Sequence, residues 1–268
     1  MPKASIMRRV LFVCDYKYEV KDGLHMAVKR LGFDTFNINS DNIPNFKDYD
    51  FILGHGAFGS RVDILLQNLD NKKGLCIGGN VTKYDNQNYD IFFYETEWVK
   101  NFLNLPEDKS IHAFGINEEI FYPRNKIIPM GVSSYLFNYL SVGAFALWKN
   151  HNKIISKSGI RGVVGEIQKG NKEESYQIIN ELLSNGVSII PQQSTEKLAI
   201  LYANTKTVYV PANIYGGGER AVMEALAMGC LVEIEDNPKL QEVIDMGVLD
   251  SKYYASQLEK GINQCLKA

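Results

Sequence analysis

Long apolar runs are missing from this chain. No stretch of its 268 residues approaches the ~20 apolar residues that a membrane span needs. The opening segment MPKASIMRRVLFVCDY sets basic residues before an apolar run. That run is too short and too β-branched for a secretory leader and reads as a first strand. Cysteine is scarce: Cys14, Cys76, Cys230 and Cys265 lie far apart and form no CxxC pair. Cys14, Cys76 and Cys230 sit in or beside apolar strand-like runs, as buried thiols of a reducing compartment do. An excess of charge is also lacking. Twenty-nine Lys and Arg against 31 Asp and Glu leave a net charge of -2, which gives no electrostatic reason to expect a nucleic-acid partner. Tandem repeats and low-complexity segments are absent, and no two of the four histidines have metal-ligand spacing. The expectation is a cytoplasmic protein with 45% hydrophobic residues, large enough for two ordinary domains.

Short apolar runs alternate with helix-like ones. Strands are predicted at Val10–Asp15, Thr35–Ile38, Asp50–Gly54, Leu75–Ile77 and Ile91–Tyr94, with helices at Asp22–Leu31 and Arg61–Leu69. A second series follows Phe121-Tyr122-Pro123 and Pro129. Its strands are Asn138–Phe145, Arg161–Gly165, Val187–Ile190, Thr207–Val210 and Leu231–Ile234. Its helices are Lys172–Asn185 (stopped by Gly186), Glu196–Tyr202, Lys239–Asp245 and Tyr253–Leu266. The alternation predicts parallel sheets built from βα units. The chain divides into two α/β halves, residues 1–126 and 127–268, joined near Arg124 to Ser134. In such paired domains ligands lie at the carboxyl ends of the strands.

The segment Tyr215–Gly229 reads YGGGERAVMEALAMG. Gly216, Gly217 and Gly218 lead directly into a helix-forming run that carries Glu219, Arg220 and Glu224. Glycine lets a backbone approach a ligand closely, and a helix start presents N–H groups and a positive dipole end to an anion such as a pyrophosphate. The glycines read either as a donor phosphate cradle or as a flexible turn.

Four segments together carry a family resemblance: HAFGINEEIFYP at 112–123, YLSVGAFALWKNHNKII with Lys149, the stretch Thr195–Pro211, and GGGERAVMEALAMGCLVEI. In this order they resemble the donor-binding domain of GT-B glycosyltransferases, especially the large family 4 group. The match is good over roughly residues 105 to 245 and extends to the first hundred only in overall pattern. The resemblance implies an α/β fold of two Rossmann-like domains facing a central cleft, with the acceptor side in the first domain and the nucleotide sugar in the second. It also implies transfer of a sugar from a nucleoside-diphosphate donor to an acceptor hydroxyl, with retained anomeric configuration and no metal. Two departures stand out. The family motif has two glutamates separated by seven residues; Glu224 matches the second, and Gly216 stands where the first belongs. The arginine usual after the VG of the donor loop is Ala144. Glu219 and Arg220, one turn from the glycines, are the candidates to take over both roles.

Each candidate has a plain reading beside the functional one. Glu224 is a ribose ligand by the resemblance, or an i,i+4 surface partner of Arg220. Lys149 stabilises the charge gathering on the leaving pyrophosphate, or is a solvated lysine beside Trp148. Lys153 and His151 fall on the next helix, where a phosphate role is the weaker reading. His55 ends a strand in the first half, as a base or a donor to sugar or phosphate, or as a loop histidine with local partners. Asp15, followed by Tyr16, Lys17 and Tyr18, and His112 complete the acceptor-side candidates. Asp15 is a base or a helix cap. His25 reads as structural. Gly78-Gly79-Asn80 is an acceptor loop or a tight turn, and neither Glu95 nor Glu97 stands out. Asp48-Tyr49-Asp50 has the letters of a metal-binding Asp-x-Asp but precedes a strand, and reads as a solvated turn.

The expected enzyme therefore uses Lys149, Glu219 and His55 in catalysis and binds its donor with Gly216, Gly217, Gly218, Arg220 and Glu224. It needs no cofactor besides the nucleotide sugar, which is a co-substrate, and no metal. Its acceptor is an unknown carbohydrate, lipid or other hydroxyl, and any membrane association is peripheral. The alternatives are a silent module that binds sugar nucleotides, and an epimerase or phosphorylase on the same scaffold.

Overall fold

The computed structural model describes residues 8–16, 21–78, 88–123 and 135–267. The chain forms two compact units, Met1–Phe114 with Ser251–Ala268, and Gly115–Asp250.

In the first unit the strands are β1 (Val10–Cys14), β2 (Asp34–Asn37), β3 (Phe51–Gly56), β4 (Lys73–Ile77), β5 (Ile91–Tyr94) and β6 (Ser110–His112). They form one sheet in the order β2-β1-β3-β4-β5-β6, parallel at each pairing. The helices are α1 (Gly23–Arg30), α2 (Arg61–Gln67) and α3 (Glu97–Leu103), joined by the C-terminal helix Ser251–Lys267. Strand periodicity explains how one sheet carries two cores. Val10, Phe12 and Cys14 pack with Leu24, Ala27 and Val28 of α1 and with Tyr254, Leu258 and Ile262 of the C-terminal helix. Leu11 and Val13, pointing the other way, pack with Val62 and Leu66 of α2 and Val99 and Leu103 of α3. Burial on both faces is why β1 reads as an unbroken apolar run, VLFVC. Asp22, Ser60 and Thr96 cap the three helices through their side chains.

The second unit contains β7 (Phe137–Val142), β8 (Arg161–Gly165), β9 (Ser188–Pro191), β10 (Thr205–Val210) and β11 (Leu231–Ile234). Their order is β11-β10-β7-β8-β9, again parallel at each pairing. Around them lie α4 (Lys172–Ser184), α5 (Thr195–Ala203), α6 (Glu219–Ala227) and α7 (Pro238–Met246). Phe145, Ile154, Val163, Ile178, Leu182, Val187 and Tyr209 form a core cluster. Gly186 adopts φ 71° just past α4, the left-handed stop that its position in the sequence predicts.

Each unit is a Rossmann-like α/β layer, as the sequence pattern predicts. In a doubly wound sheet, ligands bind where the strand order reverses and neighbouring connections leave in opposite directions. That point falls between β1 and β3 in the first unit and between β7 and β10 in the second.

The division of the chain differs from the expected 1–126 and 127–268. Residues 251–268 belong to the first unit, because the apolar face of the C-terminal helix completes the core over β1 and β5. The second unit begins at Gly115. Ile116 pairs with Asp250 in a parallel bridge and its N–H donates to the Leu249 carbonyl at 2.9 Å, so the chain enters and leaves this unit side by side. A side chain at 115 would collide with the Asp250 carbonyl. The joint expected near Arg124 to Ser134 lies outside the described residues. No helix among the described residues is long and apolar enough to cross a membrane.

Placing the C-terminal helix in the first unit has a direct test. Leu258→Ala, at a fully buried position, is expected to cost about 2–5 kcal/mol. The loss should appear in chemical denaturation followed by Trp98 fluorescence in a Trp148→Phe background. A helix belonging to the second unit would leave the Trp98 transition in place.

Candidate active site

Two loops meet at the switch point of the second sheet. The first leaves β7 through Gly143 and reaches a short 3-10 turn, Leu147–Lys149. Gly143 adopts φ 148°, and a Cβ there would sit 3.1 Å from Lys149 Cε. A bare backbone is thus what lets the lysine stem cross the loop. His151 anchors this loop from below: the Ser141 hydroxyl donates to its Nδ1 at 2.9 Å, and its Nε2–H donates to the Ala144 carbonyl at 3.1 Å. Burial, then the charge of Lys149, pushes His151 down to about 4. It is a neutral structural imidazole with both nitrogens engaged. Lys153 pairs with Glu235 at 3.0 Å on the exposed side, away from a phosphate role.

The second loop follows β10. It is tied to the first by two hydrogen bonds: Asn150 Nδ2–H to the Pro211 carbonyl at 3.1 Å, and Asn213 N–H to the Trp148 carbonyl at 2.9 Å. This closure explains the missing glutamate. A Cβ on Gly216 would lie 2.5 Å from the Trp148 carbonyl oxygen and 3.1 Å from that of Asn213. Position 216 has no room for a side chain, so the backbone itself fills the place where the family's first glutamate would start. Gly217 (φ 63°) and Gly218 (φ 129°) then turn the chain into α6. Gly218 is the N-cap and no side chain caps the helix, so no side chain competes for its first N–H groups.

The charges gather at this turn. A Cβ on Gly217 would lie 3.6 Å from both Lys149 Nζ and Glu219 Oε2. Lys149 is lowered to about 8 by burial first, then by the repulsion of Lys239 and Arg220, while Glu219 pulls it up. Glu219, expected as a catalytic carboxylate, is 6% exposed, with Oε1 paired to Lys239 Nζ at 2.7 Å. Arg220 is exposed. Glu224, one turn further into α6, is also buried, and its Oε2 accepts from the Tyr202 hydroxyl of α5 at 3.3 Å. Its carboxylate is thus held inside the unit and not on a solvated face. Burial together with Glu224 raises the Tyr202 phenol well above its usual range, so it remains a donor.

Lys239 is the residue that sequence reasoning missed. It follows Pro238 at the start of α7, whose N-cap Asn237 accepts from Leu240 N–H at 3.3 Å and donates through Nδ2 to the Ala212 carbonyl at 3.0 Å. A signal was present. A cation in the first turn of a helix opposes the dipole, and a lysine there calls for a carboxylate partner.

The second unit therefore brings together Lys149, Gly216–Gly218, Glu219, Arg220 and Glu224. The remaining candidates are in the first unit. His55 ends β3 at that sheet's switch point, where its Nδ1 is hydrogen-bonded to the hydroxyl of Tyr16, just past β1. Its Nε2 lies against Gly78, where any side chain would collide with it. Asp15, the residue before Tyr16, is exposed, and its carbonyl accepts from Asn39. His112 is separated from His55 by two strands. The Tyr253 hydroxyl donates to its Nδ1 and its Nε2–H donates to the Glu95 carbonyl, both at 3.0 Å, an arrangement that fixes the ring. His25 pairs with Asp22 at 2.7 Å and is raised to about 9, the carboxylate and Cys14 outweighing its burial. Asp50 accepts from the Arg9 N–H at 2.9 Å and Asp48 from Asn45 at 3.0 Å, so the first carboxylate serves a local turn and the second ties that turn to the chain entering β1. Among the described residues no cluster of His, Cys, Asp or Glu is arranged to hold a metal. Lys17, Tyr18, Gly79 and Asn80 lie outside the described residues.

Residues 137–268 match the family model of glycosyl transferases group 1. The chain is a glycosyltransferase of GT-B fold. Its enzyme class rests on that domain, which contains the charged glycine turn described above. Three solved structures share the fold over 97% of this chain. A sucrose-phosphate synthase (tll1590) from Thermosynechococcus elongatus is 15% identical, with 94% of its own chain covered and a TM-score of 0.65. The Anabaena protein Alr3699/HepE, in complex with UDP and glucose, is 10% identical, with 90% covered and a TM-score of 0.65. A UDP-GlcNAc 2-epimerase from Neisseria meningitidis bound to UDP-GlcNAc is 15% identical, with 93% covered and a TM-score of 0.51. Comparison with curated protein sequences finds no match.

The packing at 216 predicts how this glycosyltransferase answers a restored family motif. Gly216→Glu and Gly216→Ala are each expected to cost about 1–3 kcal/mol by overpacking, read as a lowered melting temperature. Gly216→Glu should also lose activity. A stable, more active Gly216→Glu enzyme would mean that the loop opens at this position.

Proposed function

We propose that this glycosyltransferase takes its sugar from a nucleoside-diphosphate donor whose pyrophosphate rests on the Gly217–Gly218 turn, at the start of α6. The observation that carries the reading is the convergence of the Lys149 ammonium and an uncapped helix N-terminus on one glycine turn at the sheet's switch point. When the bond from sugar to phosphate breaks, negative charge gathers on the leaving diphosphate. Lys149, the exposed Arg220 and the α6 N–H groups are fixed where that charge develops, which is the preorganised stabilisation that lowers such a barrier. Arg220 takes the part of the arginine absent at Ala144. Glu224, held by Tyr202, receives the ribose hydroxyls. The complexes of HepE with UDP and of the epimerase with UDP-GlcNAc support a uridine nucleotide as the first donor to try.

The first unit supplies the acceptor side, with His55 held by Tyr16 as the donor or base nearest its switch point and Asp15 beside it. His112, with both ring nitrogens engaged, orients the end of β6. With lysine and helix dipole in place of a metal, the reaction is metal-independent, needs no cofactor beyond the nucleotide sugar, and by the family 4 resemblance retains the anomeric configuration. The epimerase on this fold keeps one rival concrete: an epimerase interconverts free sugar nucleotides without an acceptor.

A thermal-shift panel of nucleoside diphosphates and sugar nucleotides tests the reading. A ligand at 100 times its dissociation constant should add about 2.7 kcal/mol of stability; no shift with any member would sink the donor site. Transfer or donor hydrolysis should persist in a chelator. The charge of Lys149 adds a pH signature. Below pH 8 the ammonium is already present, whereas above it the bound anion must draw a proton onto Lys149. Affinity should then fall by up to about tenfold per pH unit above 8. Lys149→Arg, charged throughout, should bind without that fall; an unchanged pH profile would remove Lys149 from the phosphate.

A further inference from the structure

The Lys239–Glu219 pair is 1% and 8% exposed at its side chains. Stability alone is a weak reason to keep it, because two ions are taken out of water and apolar replacements are often as stable. It does not serve to cap α7, which Asn237 already does. What sets the pair apart is the way its carboxylate is divided. One oxygen of Glu219 holds Lys239 at 2.7 Å, and the other faces the Gly217 turn at which Lys149 Nζ ends.

We propose that Lys239 is a positioning residue for the donor site: it fixes the Glu219 carboxylate beside Lys149 and so governs the charge that Lys149 presents at the glycine turn. This rests on reading that turn as the donor phosphate site. Among the described residues, the charged and titratable groups facing Lys149 are Glu219 and Arg220 from α6, Lys239 from α7 and His151 from its own segment. His151 is neutral, so the balance lies among the other three. Glu219 holds the proton on Lys149; Lys239 and Arg220 drive it off. Lys239 works in two ways, by direct repulsion and by engaging half of the carboxylate that would otherwise serve Lys149 alone. An empty site then keeps a lysine poised near neutrality, and an arriving diphosphate completes its protonation. The carboxylate that looked like a stand-in for the glutamate absent at 216 acts on the phosphate cations and not on the sugar.

Side-chain NMR of isotopically labelled lysine in the full-length chain follows Lys149 directly, with its resonance assigned from Lys149→Arg. The wild-type midpoint should lie near 8. Glu219→Gln should lower it and Lys239→Met raise it, each by about one unit. Lys239→Met leaves a buried carboxylate unpaired, so the double variant Glu219→Gln/Lys239→Met supplies the stable comparison. Its midpoint should lie above that of Glu219→Gln. A purely structural pair would lower the melting temperature and leave the Lys149 midpoint where it was, which overturns the proposal. UDP binding on the same variants separates the two readings. If the pH at which binding weakens follows the midpoint, the positioning role stands. A static midpoint with normal UDP binding removes Lys239 alone. Moving midpoints with no shift from any nucleotide in the panel remove the donor site, and the role of Lys239 in it.

Discussion

The neighbouring of β7 and β10 is the constraint on which the second unit depends. These parallel strands are 68 residues apart at their starts by chain position, Phe137 and Thr205 being register partners across several βα units. Their continuations leave in opposite directions, and the gap between them is spanned by two hydrogen bonds, from Asn150 and Asn213. Once these bonds are made, the Trp148 carbonyl sits against Gly216 and the glycine turn has one course to follow into α6. The loops are held by backbone groups and one short side chain, Asn150, so the positions of Lys149 and the α6 N-terminus follow from the sheet and not from long flexible side chains.

Onto that frame the chain places an uneven set of charges. Lys149 has the Glu219 carboxylate and two further cations, Arg220 and Lys239, as charged neighbours around a turn without a side-chain cap. Burial strengthens these interactions by removing water. The same burial makes an ammonium costly in an empty site, which is why Lys149 is lowered to about 8, well below an ordinary lysine. On the proposed reading, anion binding above pH 8 carries proton uptake with it. The neutral His151 beneath the loop shows the other half of this logic: hydrogen-bonded on both sides and next to a lysine, it contributes geometry and no charge.

Much of the fold was legible because parallel strands buried on both faces announce themselves as apolar runs, and Val10–Cys14, Ile91–Tyr94 and Arg161–Gly165 fall where the pattern put them. The glycine turn was legible for a related reason, since three successive glycines before a helix have few other uses. What stayed hidden depended on partners distant in sequence. The C-terminal helix has an evident apolar face, but nothing local shows that Tyr254 and Leu258 pack against β1 and not against the second sheet. Likewise Glu219 was visible and its partner Lys239, twenty residues on, was not. Short α3 (Glu97–Leu103) escaped notice because Trp98, Val99, Phe102 and Leu103 are too few to establish a helical period. Gly216 was recognised as a departure, whereas its cause, a carbonyl from the opposite loop, is tertiary.

The most direct measurement is an amide-resolved NMR titration of the full-length chain with UDP. A pyrophosphate on the turn should shift the backbone N–H signals of Gly217, Gly218, Glu219 and Arg220 together, with the Lys149 side chain moving in step. Saturable UDP binding that leaves those four amides unmoved, with its shifts confined to the first unit, would contradict the placement of the donor at α6.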